Sequence, residues 1–90
     1  MVLHTYVPVS TATGEVYDRD VQAKVCPGTL LSSRRAPEAG LWTVIAMQVV
    51  QYPGPWEQFQ LLLFNRSSLT SLDIEKSDFF ERWDVVLTPG

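Results

Sequence analysis

Cys26 and His4 are the chain's one thiol and one imidazole, and a cysteine nucleophile needs such a base within hydrogen-bond reach. No spacing in the sequence brings the two together, and a lone cysteine commonly serves as a small buried apolar residue. No catalytic set is therefore assigned. Structural zinc needs about four Cys or His ligands, and one of each does not suffice. Asp18-Arg19-Asp20 puts two carboxylates on one side of an extended chain, which contributes to a Mg²⁺ or Ca²⁺ site only if further oxygens join them. Arg19 between them makes a compensated, solvated cluster the simpler reading. No metal and no cofactor is expected. Paired-carboxylate glycoside chemistry needs a substrate cleft, for which 90 residues leave little room. Neither GxGxxG nor GxxxxGKS/T occurs, so nucleotide binding through those phosphate cradles is excluded.

Arg34-Arg35 is the one local basic spot, and a guanidinium pair can hold a carboxylate or phosphate in a bidentate grip. The alternative is an exposed loop in which arginine pairs with nearby Glu38. Asn65-Arg66-Ser67 matches the glycosylation triplet, a match that arises by chance and matters only in a secretory protein. Trp42, Trp56, Tyr52 and Phe64 could form a stacking platform for bases or sugars. The net charge of −3 argues against bases, with Asp73, Glu75, Asp78, Glu81 and Asp84 outnumbering Lys76 and Arg82 near the C-terminus. A balanced-to-acidic chain lacks the footprint of nucleic-acid binding.

Those side chains need elements to position them. Hydrophobic residues are 46% and charged residues 19% of the chain, enough apolar side chain to fold and, at this length, to fold as one domain over residues 1–90. The lone cysteine rules out an internal disulfide, which fits a reducing, cytoplasmic compartment. The N-terminus does not resemble a secretory leader. The longest apolar runs, 41–50 and 61–64, are short of the roughly 20 residues that span a bilayer.

Residues 2–9, rich in β-branched and aromatic side chains, read as a strand ending at the Ser-Thr-Ala-Thr-Gly turn cluster of 10–14. Residues 15–25 read as a half-buried strand, with Val21, Ala23 and Val25 on one side, pairing with the first. Residues 26–40 lose periodicity and collect proline, glycine and serine, the marks of a long loop. Two apolar runs flank Tyr52-Pro53-Gly54-Pro55-Trp56 and read as a β-hairpin, with opposite residues summing to about 108. One face then holds Ile45, Met47 and Val49 beside Phe59, Leu61 and Leu63, an apolar set that reads as the core. The other holds Trp42, Val44, Ala46 and Val50 beside Leu62 and Phe64, with Gln48, Gln58 and Gln60 among them and Trp56 at the turn.

Thr70-Ser71-Leu72-Asp73 and Ser77-Asp78 are two candidate openings for a short helix. Phe79, Phe80 and Trp83 form its apolar stripe, and 85–87 are long enough for a last strand. The expected fold is mainly β (α+β), a small antiparallel sheet or partly open barrel of about five strands with one short C-terminal helix. If that helix lies on the Gln-bearing face, the face is buried. If not, the surplus apolar surface marks a non-enzymatic interaction or assembly module. It would pair with itself or another protein through Trp42, Gln48, Trp56, Gln58, Gln60 and Phe64, with Arg34 and Arg35 at the rim. The alternative is a small-ligand or enzymatic domain that holds an anion on the Arg-bearing loop.

Overall fold

The computed structural model describes residues 10–13, 16–19 and 21–89. The expected strand over 2–9, and His4 within it, lie outside the described residues. The chain is mostly β: β1 (Ser10–Thr13), β2 (Val16–Asp18), β3 (Ala23–Val25), β4 (Leu30–Ser33), β5 (Leu41–Gln51), β6 (Glu57–Asn65), β7 (Ser68–Glu75) and β8 (Trp83–Leu87), with α1 (Lys76–Arg82) between the last two strands. The main sheet is antiparallel in the order β7-β6-β5-β4-β8, with β1 added along the far half of β5. β2 and β3 form a separate two-stranded hairpin. The main sheet does not close, because β7 and β8 end it on opposite sides.

The β5–β6 hairpin stands as its sequence implies. Gly54 turns the chain at φ 92° between its two prolines, and Gln51 Nε2 lies 3.1 Å from each of the Tyr52, Gly54 and Trp56 carbonyl oxygens, stitching the loop closed. From Gln51↔Glu57 to Ala46↔Leu62 every pair sums to 108. Then the register shifts: Val44 faces Leu63 and Thr43 faces Phe64, so Ile45 is the extra residue of a β-bulge. An inserted residue reverses which face each later side chain meets. Trp42 and Val44 therefore join Met47 and Val49 on the core side, and Ile45, expected in the core, is 46% exposed.

Three other expectations are corrected. The turn cluster 10–14 contains β1, whose ladder with β5 runs from Ser10↔Gln51 to Thr13↔Gln48. The single strand expected over 15–25 is two strands folded back on each other, with Gln22 at φ 52° and Val21 exposed in the turn. The loop over 26–40 contains β4, which lies between β5 and β8 with Leu31 fully buried. Two leucines among Pro, Gly and Ser are too short a run to show a period, and only the strands on both sides make them a strand.

Of the two candidate helix openings, Thr70 lies inside β7, and α1 starts just before Ser77. Seven residues do not hold a helix alone; α1 persists because Phe79, fully buried, and Phe80 dock on Phe59, at centroid distances of 5.2 and 6.0 Å. Phe59 belongs to the core side, so the helix covers that side and not the Gln-bearing one. Phe79→Ala is expected to lower unfolding free energy by about 3–5 kcal/mol, read as a drop in the urea midpoint. A loss under 1 kcal/mol would mean that the aromatic stack does not hold α1. Arg66, at φ 58° in the two-residue β6–β7 turn, occupies a conformation that costs an L-residue roughly 1 kcal/mol. Arg66→Gly is accordingly expected to raise the melting temperature by a few degrees.

Candidate functional site

The tight corner beside the bulge is built by Cys26-Pro27-Gly28-Thr29. Gly28 sits at φ 94°, and Thr29 N–H donates to the Cys26 carbonyl at 3.0 Å. The corner is locked onto β5: Gly28 N–H donates to the Val44 carbonyl at 2.7 Å and Val44 N–H to the Thr29 carbonyl at 2.9 Å. Thr29, fully buried, accepts the Cys26 N–H on Oγ1 at 3.0 Å, with Cys26 Sγ 3.6 Å away. Cys26 is thus a buried residue of a corner, and no imidazole lies beside it among the described residues.

Of the acidic cluster, Asp18 is tied into the fold. Asp18 pairs with Lys76 Nζ at 3.0 Å and accepts the Val21 N–H at 3.2 Å, tying the β2–β3 hairpin to α1. No group of three Cys, His, Asp or Glu side chains that could hold a metal ion occurs among the described residues. Asn65 is buried, with Nδ2 donating to the carbonyls of Ala39 at 3.0 Å and Leu41 at 2.9 Å. An amide so placed is closed to glycosylation in the folded chain.

Arg34 reaches a different partner from the one the sequence suggests. Its guanidinium lies 2.7 Å from Asp84 Oδ1 and donates to the Glu81 carbonyl, fastening the end of β4 to the α1–β8 junction. Arg35 is exposed. Trp42 packs edge-to-face with Trp83 at 6.1 Å and 89° on the core side, its buried Nε1 without a hydrogen-bond acceptor. Trp56 stands 49% exposed at the β5–β6 turn. Of the sequence-predicted contact set, the structure gathers Gln48, Gln58, Gln60 and Phe64 on one face of the sheet; Trp42 is on the other.

That face is the strongest candidate. The registers Gln48↔Gln60↔Asp73 and Ala46↔Leu62↔Ser71 set three strands side by side, and between these rows lies a shallow depression. Next to it Ala46, Ile45, Phe64 and Leu69 are exposed, Leu69 by 62%. Toward the Pro53 turn the face closes over Val50, which is buried. Sequence reasoning missed Ile45 and Leu69: the first because no local pattern marks the bulge, the second because Thr70-Ser71-Leu72-Asp73 carries the pattern of a helix opening and not of a strand.

No family model, no curated protein and no solved structure matches the chain. No helix among the described residues is long and apolar enough to cross a membrane. With the Cys26 thiol enclosed by its corner, its reaction with a disulfide reagent is expected to be at least about 100-fold slower in native buffer than in urea. Equal rates would show that the corner opens freely.

Proposed function

We propose that the chain is a non-enzymatic protein-interaction and assembly module whose contact surface is the open side of β5–β6–β7. One observation carries the reading. The same three strands bury a continuous apolar layer on one side under α1, yet on the other present Ile45, Ala46, Leu62 and Phe64 beside Gln48, Gln58 and Gln60, with no described element over them. Contiguous apolar surface of this kind, rimmed by polar groups, is the usual mark of a contact site. Glutamine also suits such a surface. It is neutral, so it can be desolvated at modest cost, and its amide both donates and accepts to a partner.

The alternative of an anion held by the Arg-bearing loop has less support. Arg34 is already compensated by Asp84, and Arg35 alone offers no enclosed site. The groove along α1 sets Asp18, Glu57, Glu75 and Glu81 against the single cation Lys76, a balance that repels an anion, and in the groove along β8, whose other cation is Lys24, Asp84 already neutralises Arg34.

The test is affinity capture with the immobilised chain against the double variant Ala46→Glu/Gln60→Glu. Both substitutions lie on the open side, so the melting temperature is expected to stay within a few degrees. At least one protein, or a second copy of the chain, should be retained by the wild type and lost from the variant. Equal retention by both, or no retention by either, overturns the reading.

A further inference from the structure

The two edges of the main sheet are not protected alike. β8 is five residues long, its register with β4 is broken between Leu30 and Leu31, and Thr88 beyond it donates to the Lys24 carbonyl of the β2–β3 hairpin at 2.8 Å. A bulge and a neighbouring hairpin are two of the standard ways of blunting an edge. β7 has neither. Its eight residues pair with β6 in one unbroken register from Gln58↔Glu75 to Asn65↔Ser68, and no described strand lies on its other side. Residues 68–72 carry no charge and no proline, and most of the strand is exposed.

The geometry points to β7 as a strand-addition edge whose occupant is β7 of a second copy of this chain. Two features select self-pairing. The first is hydrogen-bond phase. A two-residue turn makes Asn65 and Ser68 the hydrogen-bonded closing pair, so the N–H and C=O groups of Leu69, Ser71, Asp73 and Glu75 point away from β6. An antiparallel copy centred on Ser71 sets Ser71 against Ser71 and Leu69 against Asp73, matching outward groups to outward groups from Leu69 to Asp73.

The second is charge. Arg66, exposed at the start of the strand, makes no ion pair among the described residues, while Asp73 and Glu75 stand at its end; Lys76, next along, is held by Asp18. The edge is thus positive at one end and negative at the other. In the Ser71-centred register Glu75 falls opposite Ser67, one residue from Arg66, and Asp73 opposite Leu69, so the negative end of each strand lies along the positive end of the other and the two Asp73 carboxylates stay apart, while Lys76, which falls opposite Arg66, is taken by Asp18. A parallel copy would stack like charges. The pairing is isologous and uses both β7 edges, so it closes at two chains. It leaves the Gln-bearing faces of the two copies on the same side of one continuous sheet. This pairing differs from the contact proposed above in being made by the backbone groups of the β7 edge, although Ser71 and Asp73 also border the open face.

Molar mass by light scattering across a range of concentrations tests it on the full chain. The wild type should rise from one-chain to two-chain mass and no further. Ser71→Pro removes an outward N–H without touching the β6 ladder, and Ser71→Lys places like charges at the axis; each should hold the chain at one-chain mass where the wild type is paired. Arg66→Glu should weaken pairing at least tenfold. Ser71→Cys should form a disulfide-linked pair under mild oxidation, because Cα atoms of a hydrogen-bonded antiparallel pair lie about 5.5 Å apart, whereas the wild type with Cys26 buried should not. A one-chain wild type at every concentration overturns the inference. So does pairing that survives both Ser71→Pro and Ser71→Lys, and if that pairing is lost in Ala46→Glu/Gln60→Glu the contact belongs to the face instead.

Discussion

Between Val44 and Ala46 the pairing of β5 with β6 gains one residue, and a strand with a side-chain period of two absorbs such an insertion only by changing which face its later residues meet. On the Met47 side of the insertion odd-numbered residues of β5 face inward; on the Trp42 side even-numbered ones do. Without it, Trp42 and Val44 would face away from the core and Ile45 into it. The insertion is held by backbone hydrogen bonds, since the Cys26–Thr29 corner takes both the N–H and the C=O of Val44. The rest of the fold follows from that clamp. β4 leaves the corner already aligned with β5, Leu31 reaches the core beside Trp42, and β8 then adds to β4 with Trp83 against the Trp42 ring.

How far this could be read in advance differs from element to element, for physical reasons. The β5–β6 hairpin was legible because proline and glycine fix the turn and the turn length fixes the register. Six pairs, from Gln51↔Glu57 to Ala46↔Leu62, obey it. The bulge was not, because its cause lies some fifteen residues upstream in the corner that grips Val44, and no local pattern at Ile45 signals it. β4 and β7 were hidden for another reason. Leu30-Leu31 is too short to show a period, and Thr70-Ser71-Leu72-Asp73 satisfies a helix-capping pattern that pairing with β6 overrides. The Gln48-Gln58-Gln60 cluster was visible as a register, and its exposure depended on which side α1 would choose.

That choice follows from the aromatic side chains. Phe79 and Phe80 meet each other at 5.0 Å and both meet Phe59, whose neighbours on the same side, Leu61 and Ile74, are aliphatic. On the opposite side the same rings would have to cover Gln58 and Gln60, whose amides would lose water without gaining partners. The β2–β3 hairpin completes the cover on the aromatic side: Val16 and Val25 join the core cluster, and the Asp18–Lys76 pair fixes the hairpin to α1. The cover is therefore one-sided because each face accepts only one kind of neighbour.

A one-sided cover has consequences for a chain of this size. A domain of 90 residues buries only about 60% of its unfolded surface, and here most of that burial is spent on the side that holds α1. What remains on the open side is apolar side chain set among glutamine, serine and threonine, with charge confined to Asp73 and Glu75. Such a surface stays wetted at little cost, since its amides and hydroxyls keep their water. It can also be covered at little cost, because no lysine or arginine would have to be stripped of solvent. Lysine on the open strands would have raised the desolvation cost of any contact, and leucine in place of the glutamines would have made the isolated chain associate without selectivity. The glutamine rows hold the face between those extremes, where selectivity comes from hydrogen-bond pairing with the incoming surface and not from apolar area alone.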